Sequence, residues 1–251
     1  MVFDVLTLFP ELISNYLDTS MLLKAQEKEL ISYETHDIRK HAIDDYGHVD
    51  DTLYGGGSGM LMRPEPIYAA YKEAKSKNIS NSISIYMSPK GEVLTQDLAK
   101  ELANYEQIIL LCGHYEGVDQ RVVSEVIDKE VSIGDYVISS GELASLVLID
   151  TVSRMLPGFL ADKEAMTDES HFNKRLEARQ YTKPRSWHGK AVPEVLLSGH
   201  HAKIKDFKYL DGLNETLEKR PDIFEELDLD KETIERLLEY RQKLRFDKPQ
   251  A

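Results

Sequence analysis

Three sets of residues in this 251-residue chain have types and spacing that chemistry needs. The first is a pair of glycine loops. Ile108-Ile109-Leu110-Leu111-Cys112 runs into Gly113-His114-Tyr115-Glu116-Gly117, and Ser132-Ile133-Gly134-Asp135-Tyr136-Val137-Ile138-Ser139-Ser140-Gly141-Glu142 follows shortly after. A β-branched run ending in Gly-x-Tyr-Glu-Gly reads as a buried strand delivering a loop to a sheet edge, where open α/β sheets bind ligands. Each loop alone is an ordinary βα turn. Together they bring backbone N–H and C=O groups close enough to hydrogen-bond the edge of a purine or a carboxylate. A third glycine stretch, Tyr54-Gly55-Gly56-Gly57-Ser58-Gly59-Met60-Leu61-Met62, is either a flexible surface loop or a backbone that bends closely around a partner. No G-x-x-x-x-G-K-[ST] occurs, and Gly113 and Gly117 are spaced unlike a dinucleotide fingerprint, so a nucleoside triphosphate is a poor candidate.

The second set is Asp150 and Arg154, four apart near a helix end. They form either an ordinary ion pair, or Arg154 projects from the helix end and donates to an oxygen that gains charge during reaction. The third is Asp168-Glu169, either simply solvated or a general base that a substrate orders. The eight histidines have no metal-ligand spacing, and with one cysteine a zinc site is disfavoured.

The elements that must position these groups follow from periodicity. Phe3 to Leu8 reads as a strand, Pro10 opens a helix through Leu12, Ile13, Tyr16 and Leu17, and Ile31, Tyr33 and Thr35 alternate as a second strand. His36 to Asp51 is too charged for a core element. A helix over 66–77 and a strand over 83–87 follow, the strand stopping at the turn sequence Ser88-Pro89-Lys90-Gly91. Thr95 and Asp119 cap the next two helices, and a further helix runs from Glu142 to Met155 until Pro157-Gly158. This rhythm predicts a parallel, three-layer α/β domain over 1–160. Residues 161–171 read as a linker. From 172 to 251 the chain is loop-rich, then helical over 202–210 and after an Asp230 cap, giving a small C-terminal helical domain.

Charged residues make up 30% of the chain and mean hydropathy is -0.41. The N-terminus lacks a basic n-region and no run approaches a membrane span, so no membrane partner is expected. Cys112 in an apolar strand suits a reducing compartment, hence the cytoplasm. The net charge of -13 speaks against nucleic acid, but its distribution does not. From His171 to Lys208 nine Lys or Arg face three acids, a local +6 that is either a solvated loop or an RNA contact.

Cys-Gly-His-Tyr-Glu-Gly, Ser-Ile-Gly-Asp-Tyr-Val-Ile-Ser and Gly-Glu-Leu resemble the cofactor loops of the bacterial tRNA (guanine-N1)-methyltransferases, the TrmD family, and Tyr-Gly-Gly-Gly-Ser-Gly-Met-Leu-Met resembles a further signature of it. The resemblance covers nearly the whole chain, with the motifs in family order. It implies a SPOUT-type parallel sheet with a deep trefoil knot, a homodimer whose two subunits build each active site, and methyl transfer from S-adenosylmethionine to N1 of guanosine 37 in tRNA. It assigns the cofactor to Tyr86, Met87, Ser88 and Pro89, to Gly113, Tyr115, Glu116 and Gly117, to Ile133, Gly134, Asp135, Tyr136, Val137 and Ile138, and to Gly141, Leu143 and Ala144. It gives Arg154 the negative charge displaced onto O6, and Glu169 or Asp168 the N1 proton. It lays Gly55, Gly56, Gly57, Gly59 and Met60 against cofactor and target nucleotide, with Ser170, Lys183 and His200 on the RNA side and the anticodon arm gripped by the helical domain. Magnesium is also reported for members; no ligand for it is assigned here.

The chain departs from the family in three places. An ungapped match puts Glu169 where the family has its catalytic Asp, whereas a one-residue insertion near His171 would promote Asp168. Ser140 and Ala144 replace the usual Gly and Pro, and Thr-Lys-Pro at 182–184 replaces Thr-Arg-Pro. Another SPOUT enzyme with a different RNA target, a non-catalytic RNA-binding protein that retains the cofactor fold, and a small-molecule enzyme with no RNA partner are the alternatives.

Overall fold

The computed structural model describes residues 1–160 and 167–246 and divides the chain into two compact units, Met1–Ala161 and Asp162–Ala251. The first is built on a parallel sheet. Its strands in chain order are β1 (Val2–Thr7), β2 (Ser32–Asp37), β5 (Ser82–Val93), β6 (Gln107–Cys112) and β7 (Lys129–Ser132), arranged β2-β1-β6-β5-β7. A short antiparallel hairpin, β3 (Asp50–Thr52) with β4 (Met60–Met62), stands apart from it. Every residue of β6 is buried, which is what a central strand covered on both faces requires.

The helices are α1 (Pro10–Leu17), α2 (Ser20–Glu27), α3 (Pro64–Lys75), α4 (Gln96–Leu102), α5 (Gln120–Val126) and α6 (Gly141–Met155). Strand residues alternate between two cores. Phe3, Val5, Ile85, Leu110 and Cys112 pack with α1, α2, α4 and α6, while Leu6, Ile109 and Leu111 pack with α3 and α5. Each buried Leu or Ile contributes about 1.5–3 kcal/mol. The predicted starts hold: Pro10 is the first residue of α1, Thr95 Oγ1 accepts from Leu98 N at 3.2 Å, and Asp119 accepts from Arg121 N at 2.9 Å.

Two expectations are corrected. The strand beginning at Ile83 does not end at Ser88-Pro89-Lys90-Gly91; β5 runs on to Val93, and both Met87 and Glu92 pair with Val131. Turn residues here make a bulge, because β7 resumes the ladder on its far side. The polar stretch 36–51 does supply core residues: His36, Ile38 and Val49 are buried, Ile38–His41 forms a 3₁₀ turn, and Asp50 begins β3. His36 is drawn inside by buried Asp4, whose carboxylate accepts from His36 Nε2 at 2.7 Å, Lys77 Nζ at 2.5 Å and Gln107 Nε2 at 2.8 Å. Burial pushes the Asp4 carboxyl up, but these donors outweigh it and hold it below the usual range.

The second unit contains a two-stranded hairpin, β8 (Ser186–Trp187) with β9 (Lys190–Ala191), and helices α7 (Glu194–Leu197), α8 (His201–Lys219), α9 (Pro221–Glu225) and α10 (Lys231–Phe246). Its apolar core is small, centred on Leu210, Leu213 and Leu237. Polar bonds supplement it. Buried Asp211 accepts from Arg179 N at 2.8 Å, Arg179 Nε at 3.0 Å and Tyr240 Oη at 2.6 Å. Arg179, one of the nine cations of the basic stretch, is therefore committed to the fold. The helix expected over 202–210 continues to Lys219 because Leu213, Asn214 and Thr216 remain buried. Asp230 caps α10 by accepting from Thr233 N at 2.7 Å. Of the expected linker, residues 161–166 lie outside the described residues.

Candidate active site

The bulge of β5 and the carboxyl ends of β6 and β7 open onto one cavity of about 470 Å³. From β5 come Tyr86, Met87, and the bulge residues Ser88, Pro89 and Lys90; from the β6 end come Gly113, His114, Tyr115, Glu116 and Gly117. The loop after β7 adds Ile133, Tyr136, Val137 and Ile138, and α6 adds Gly141 and Ala144. Three loops distant in sequence are thus gathered by the parallel strand order alone. Gly134 and Asp135 belong to the same loop but do not line the cavity, and Leu143 turns outward, 58% exposed.

The glycines are required by close approach. A Cβ on Gly141 would lie 2.7 Å from both Cys112 Cα and Gly113 N, and Gly141 N donates to Gly113 O at 2.9 Å. On Gly113 it would meet the Tyr86 hydroxyl at 2.8 Å. Tyr86 therefore covers the β6 end with its ring. Burial, with the Glu130 charge second, raises its phenol above the ordinary value.

The glycine hairpin joins the same wall. Glu116 N donates to Met60 O at 3.0 Å, Met62 N donates to Gly117 O at 2.9 Å, and a Cβ on Gly59 would strike the Glu116 side chain at 2.5 Å. Gly55, Gly56 and Gly57 have positive φ and no atom within 4 Å of a would-be Cβ, so this tip is open.

Beneath the cavity lies a buried polar group that sequence reasoning missed. Glu142, 1% exposed, accepts from Thr7 Oγ1 at 2.6 Å, and its Oε2 stands 3.3 Å from His114 Nε2. These last two atoms are in electrostatic range but not aligned for a hydrogen bond. A carboxylate in the first turn of α6 suits the helix dipole, and it ties the β1 end to the helix that Gly141 begins. The signal was present in Gly-Glu-Leu, but nothing in sequence paired it with Thr7. Cys112 is fully buried, and desolvation followed by the Glu142 charge pushes its thiol well up, so it is not a nucleophile here.

Arg154 sits half-buried in the last turn of α6. Asp150, its neighbour one turn earlier, accepts from Tyr16 Oη at 3.2 Å. In the second unit Asp168 and Glu169 both line a polar concavity with Lys205 and Lys208, and Asp168 Oδ1 is 3.6 Å from an Arg175 Nη. Ser170 Oγ accepts from Glu177 N at 3.1 Å, His200 is the N-cap of α8, and Lys183 is exposed. Among the described residues one group of three potential metal ligands occurs, Asp4, Glu34 and His36. Lys77 Nζ, 2.5 Å from Asp4 and 2.9 Å from Glu34, already supplies a cation there.

The chain is similar to known proteins along most of its length. A tRNA (guanine-N(1)-)-methyltransferase of Ruminiclostridium cellulolyticum is 50% identical over 227 residues, 90% of this chain and 97% of the relative. One of Caldicellulosiruptor saccharolyticus is 46% identical over 240 residues, 96% and 97% of the two chains, and one of Chloroflexus aurantiacus is 45% identical over 223 residues, 89% and 88%. Residues 1–226 match the family described as tRNA (Guanine-1)-methyltransferase TrmD. The cavity at the β5 bulge and the ends of β6 and β7 is thus carried by a chain that belongs to the TrmD family of tRNA (guanine-1)-methyltransferases.

Proposed function

We propose that this protein transfers a methyl group from S-adenosylmethionine to N1 of guanosine 37 in tRNA. The observation that carries the reading is the convergence of three loops on one cavity where Gly113 and Gly141 leave no room for a side chain. Such a wall offers backbone N–H and C=O groups to an adenine edge and a carboxylate, the polar features of this cofactor. When bound, the cofactor supplies an electrophilic methyl group on sulfur.

The protein residues act on the guanine. N1 carries a proton at neutral pH and is a weak nucleophile until a base removes it. Glu169 has that role in the ungapped match, Asp168 in the alternative. As the proton leaves, charge passes to O6, and the Arg154 guanidinium stabilises it. Gly55, Gly56, Gly57, Gly59 and Met60 lie over the nucleotide, and Ser170, Lys183 and His200 contact RNA. The non-catalytic alternative loses support, since the relatives are named as methyltransferases over nearly their full length.

Three further features belong to this reading. The close approach of Gly141 to the β6 end, where an added Cβ would lie 2.7 Å from Cys112 Cα, supports a SPOUT knot, in which the chain entering α6 passes tightly against the 107–113 segment. Leu12, Tyr16, Leu143 and Val147 form an exposed apolar face on α1 and α6, which supports a homodimer. The division into 1–160, a linker over 161–171 and a tRNA-binding unit over 172–251 follows, and the cytoplasm is where tRNA is found. No helix among the described residues is long and apolar enough to cross a membrane.

Methyl transfer from labelled S-adenosylmethionine to a G37-containing tRNA transcript and to its G37→A counterpart, with magnesium present, tests the proposal. Label in the first alone is expected. Label in both, or in neither while cofactor binds, would refute the assignment of the target base or of the activity.

A further inference from the structure

Among the described residues, the β8–β9 hairpin is the most exposed aromatic feature of the second unit. All residues from Tyr181 to Ala191 are exposed, and Trp187, the single tryptophan of the chain, is 65% exposed. The small apolar core of the unit does not include it. A tryptophan ring in water forgoes burial worth several times that of a small side chain, so its placement on a turn needs another cause.

The hairpin geometry is well defined. His188 and Gly189 both have positive φ, at 48° and 76°, which is the two-residue turn that matches strand twist. Trp187 pairs with Lys190, Ser186 with Ala191, and Val192 N donates to Arg185 O at 2.9 Å. Side chains alternate across a strand, so Arg185, Trp187 and Lys190 share one face of the hairpin. The His188 ring packs at right angles to the indole with centroids 4.2 Å apart, limiting its rotation. Between Gln180 and Pro193 the chain has Lys183, Arg185 and Lys190 and no acid, in a protein of net charge -13. An oriented π-face between two cations, free of carboxylates, suits a flat ring attached to phosphates.

We propose that this face is a stacking platform for an unpaired base of the tRNA, with Trp187 under the base and Arg185 and Lys190 on the flanking phosphates. It rests on the tRNA reading above and adds to it a second point of RNA contact, away from the methylated base. Stacking needs an unstacked base, so paired stems and base-free polyanions are poor ligands.

The single tryptophan makes the test direct in the full-length protein. Emission of Trp187 is followed during titration with the G37 tRNA transcript, with a blunt RNA duplex and with polyphosphate. Quenching by tRNA alone is expected. W187A should raise the tRNA Kd about 5- to 100-fold at fixed salt, with W187F recovering most of the loss. The loss should appear in KM for tRNA rather than in kcat. R185A and K190A should each lower the salt slope of binding by about one. Unchanged Trp187 emission on a bound tRNA, or a W187A Kd within twofold of the native one, overturns the platform while methyl transfer to tRNA stands. Absence of both tRNA binding and methyl transfer removes the tRNA reading and the platform with it.

Discussion

Gly141 is where one methyl group should disturb the fold and the cavity together. In G141A the new Cβ would lie 2.7 Å from Cys112 Cα and Gly113 N and 3.0 Å from the Cys112 carbonyl carbon, against an ordinary contact of 3.4–4 Å. All three are backbone atoms of the β6 end. β6 cannot yield, because it is hydrogen-bonded to β1 on one side and β5 on the other. The start of α6 must therefore withdraw by several tenths of an ångström, and it is held by Gly141 N to Gly113 O at 2.9 Å and by Glu142 to Thr7 at 2.6 Å.

Overpacking of this kind costs about 1–3 kcal/mol, and weakening one hydrogen bond adds about 0.5–1.5 kcal/mol. A total of about 2–4 kcal/mol corresponds to a Tm lowered by roughly 5–10 °C. Since Gly113 and Gly141 both line the cavity, part of it appears as a rise of at least tenfold in the S-adenosylmethionine Kd. Calorimetric titration and thermal unfolding of G141A read both quantities. Gly189 has no atom within 4 Å of a would-be Cβ, so G189A serves as the control and should leave cofactor binding unchanged. A G141A protein with native Kd and Tm would show that the close approach of α6 to β6 is wrong.

T7V deletes a buried donor to Glu142 at 2.6 Å and an acceptor of Phe9 N at 2.9 Å, and thermal unfolding should show a loss of about 2–4 kcal/mol; a native Tm would remove Glu142 as the link between β1 and α6. His36 is lowered by burial but raised further by Asp4, so its folded pKa lies above its unfolded value. Its contribution to stability is complete below pH about 6.5 and is lost as pH rises through the folded pKa; H36Q should flatten that segment of the stability–pH curve, and an unaltered curve would count against the pairing. E169Q should reduce methyl transfer by at least a hundredfold with cofactor Kd unchanged, whereas D168N does so only if the insertion alignment holds; native activity in both variants would eliminate the proposed base.

The sheet was legible in the sequence because parallel strands buried on both faces are continuous apolar runs, as Ile108 to Cys112 is. Helix starts were legible because Pro10 fixes its own φ and Thr95 and Asp119 act through bonds to their near neighbours. What failed depends on partners far along the chain. Ser88-Pro89-Lys90-Gly91 has turn chemistry, and only the presence of Val131 beside both Met87 and Glu92 makes it a bulge inside one strand. His36 looks like a solvated residue until Asp4 is placed beside it, 32 residues away. Most of the residues named for the cofactor line one cavity because the motif glycines and the loop boundaries coincide. The role of Glu142 escaped because its neighbours, Thr7 at the end of β1 and His114 in the loop after β6, are distant in sequence.

The same dependence on distant partners separates the two uses of positive charge in the second unit. Arg179 has its charge matched by Asp211 at 2.5 Å and Glu215 at 3.5 Å, and neither acid lies within the 171–208 stretch with its local +6. Its guanidinium is therefore held well above its ordinary pKa, first by the Asp211 hydrogen bonds, and releases few counterions to a passing phosphate. Lys183, Arg185 and Lys190 are different: they stand on an exposed segment with no acid between Gln180 and Pro193. Local charge in a sequence window thus overstates what RNA can meet. R179A should weaken tRNA binding only through the stability of the unit, with the salt slope unchanged, whereas R185A should lower the slope by about one at native stability. A salt slope reduced as much by R179A as by R185A would mean that Asp211 does not hold its partner in solution.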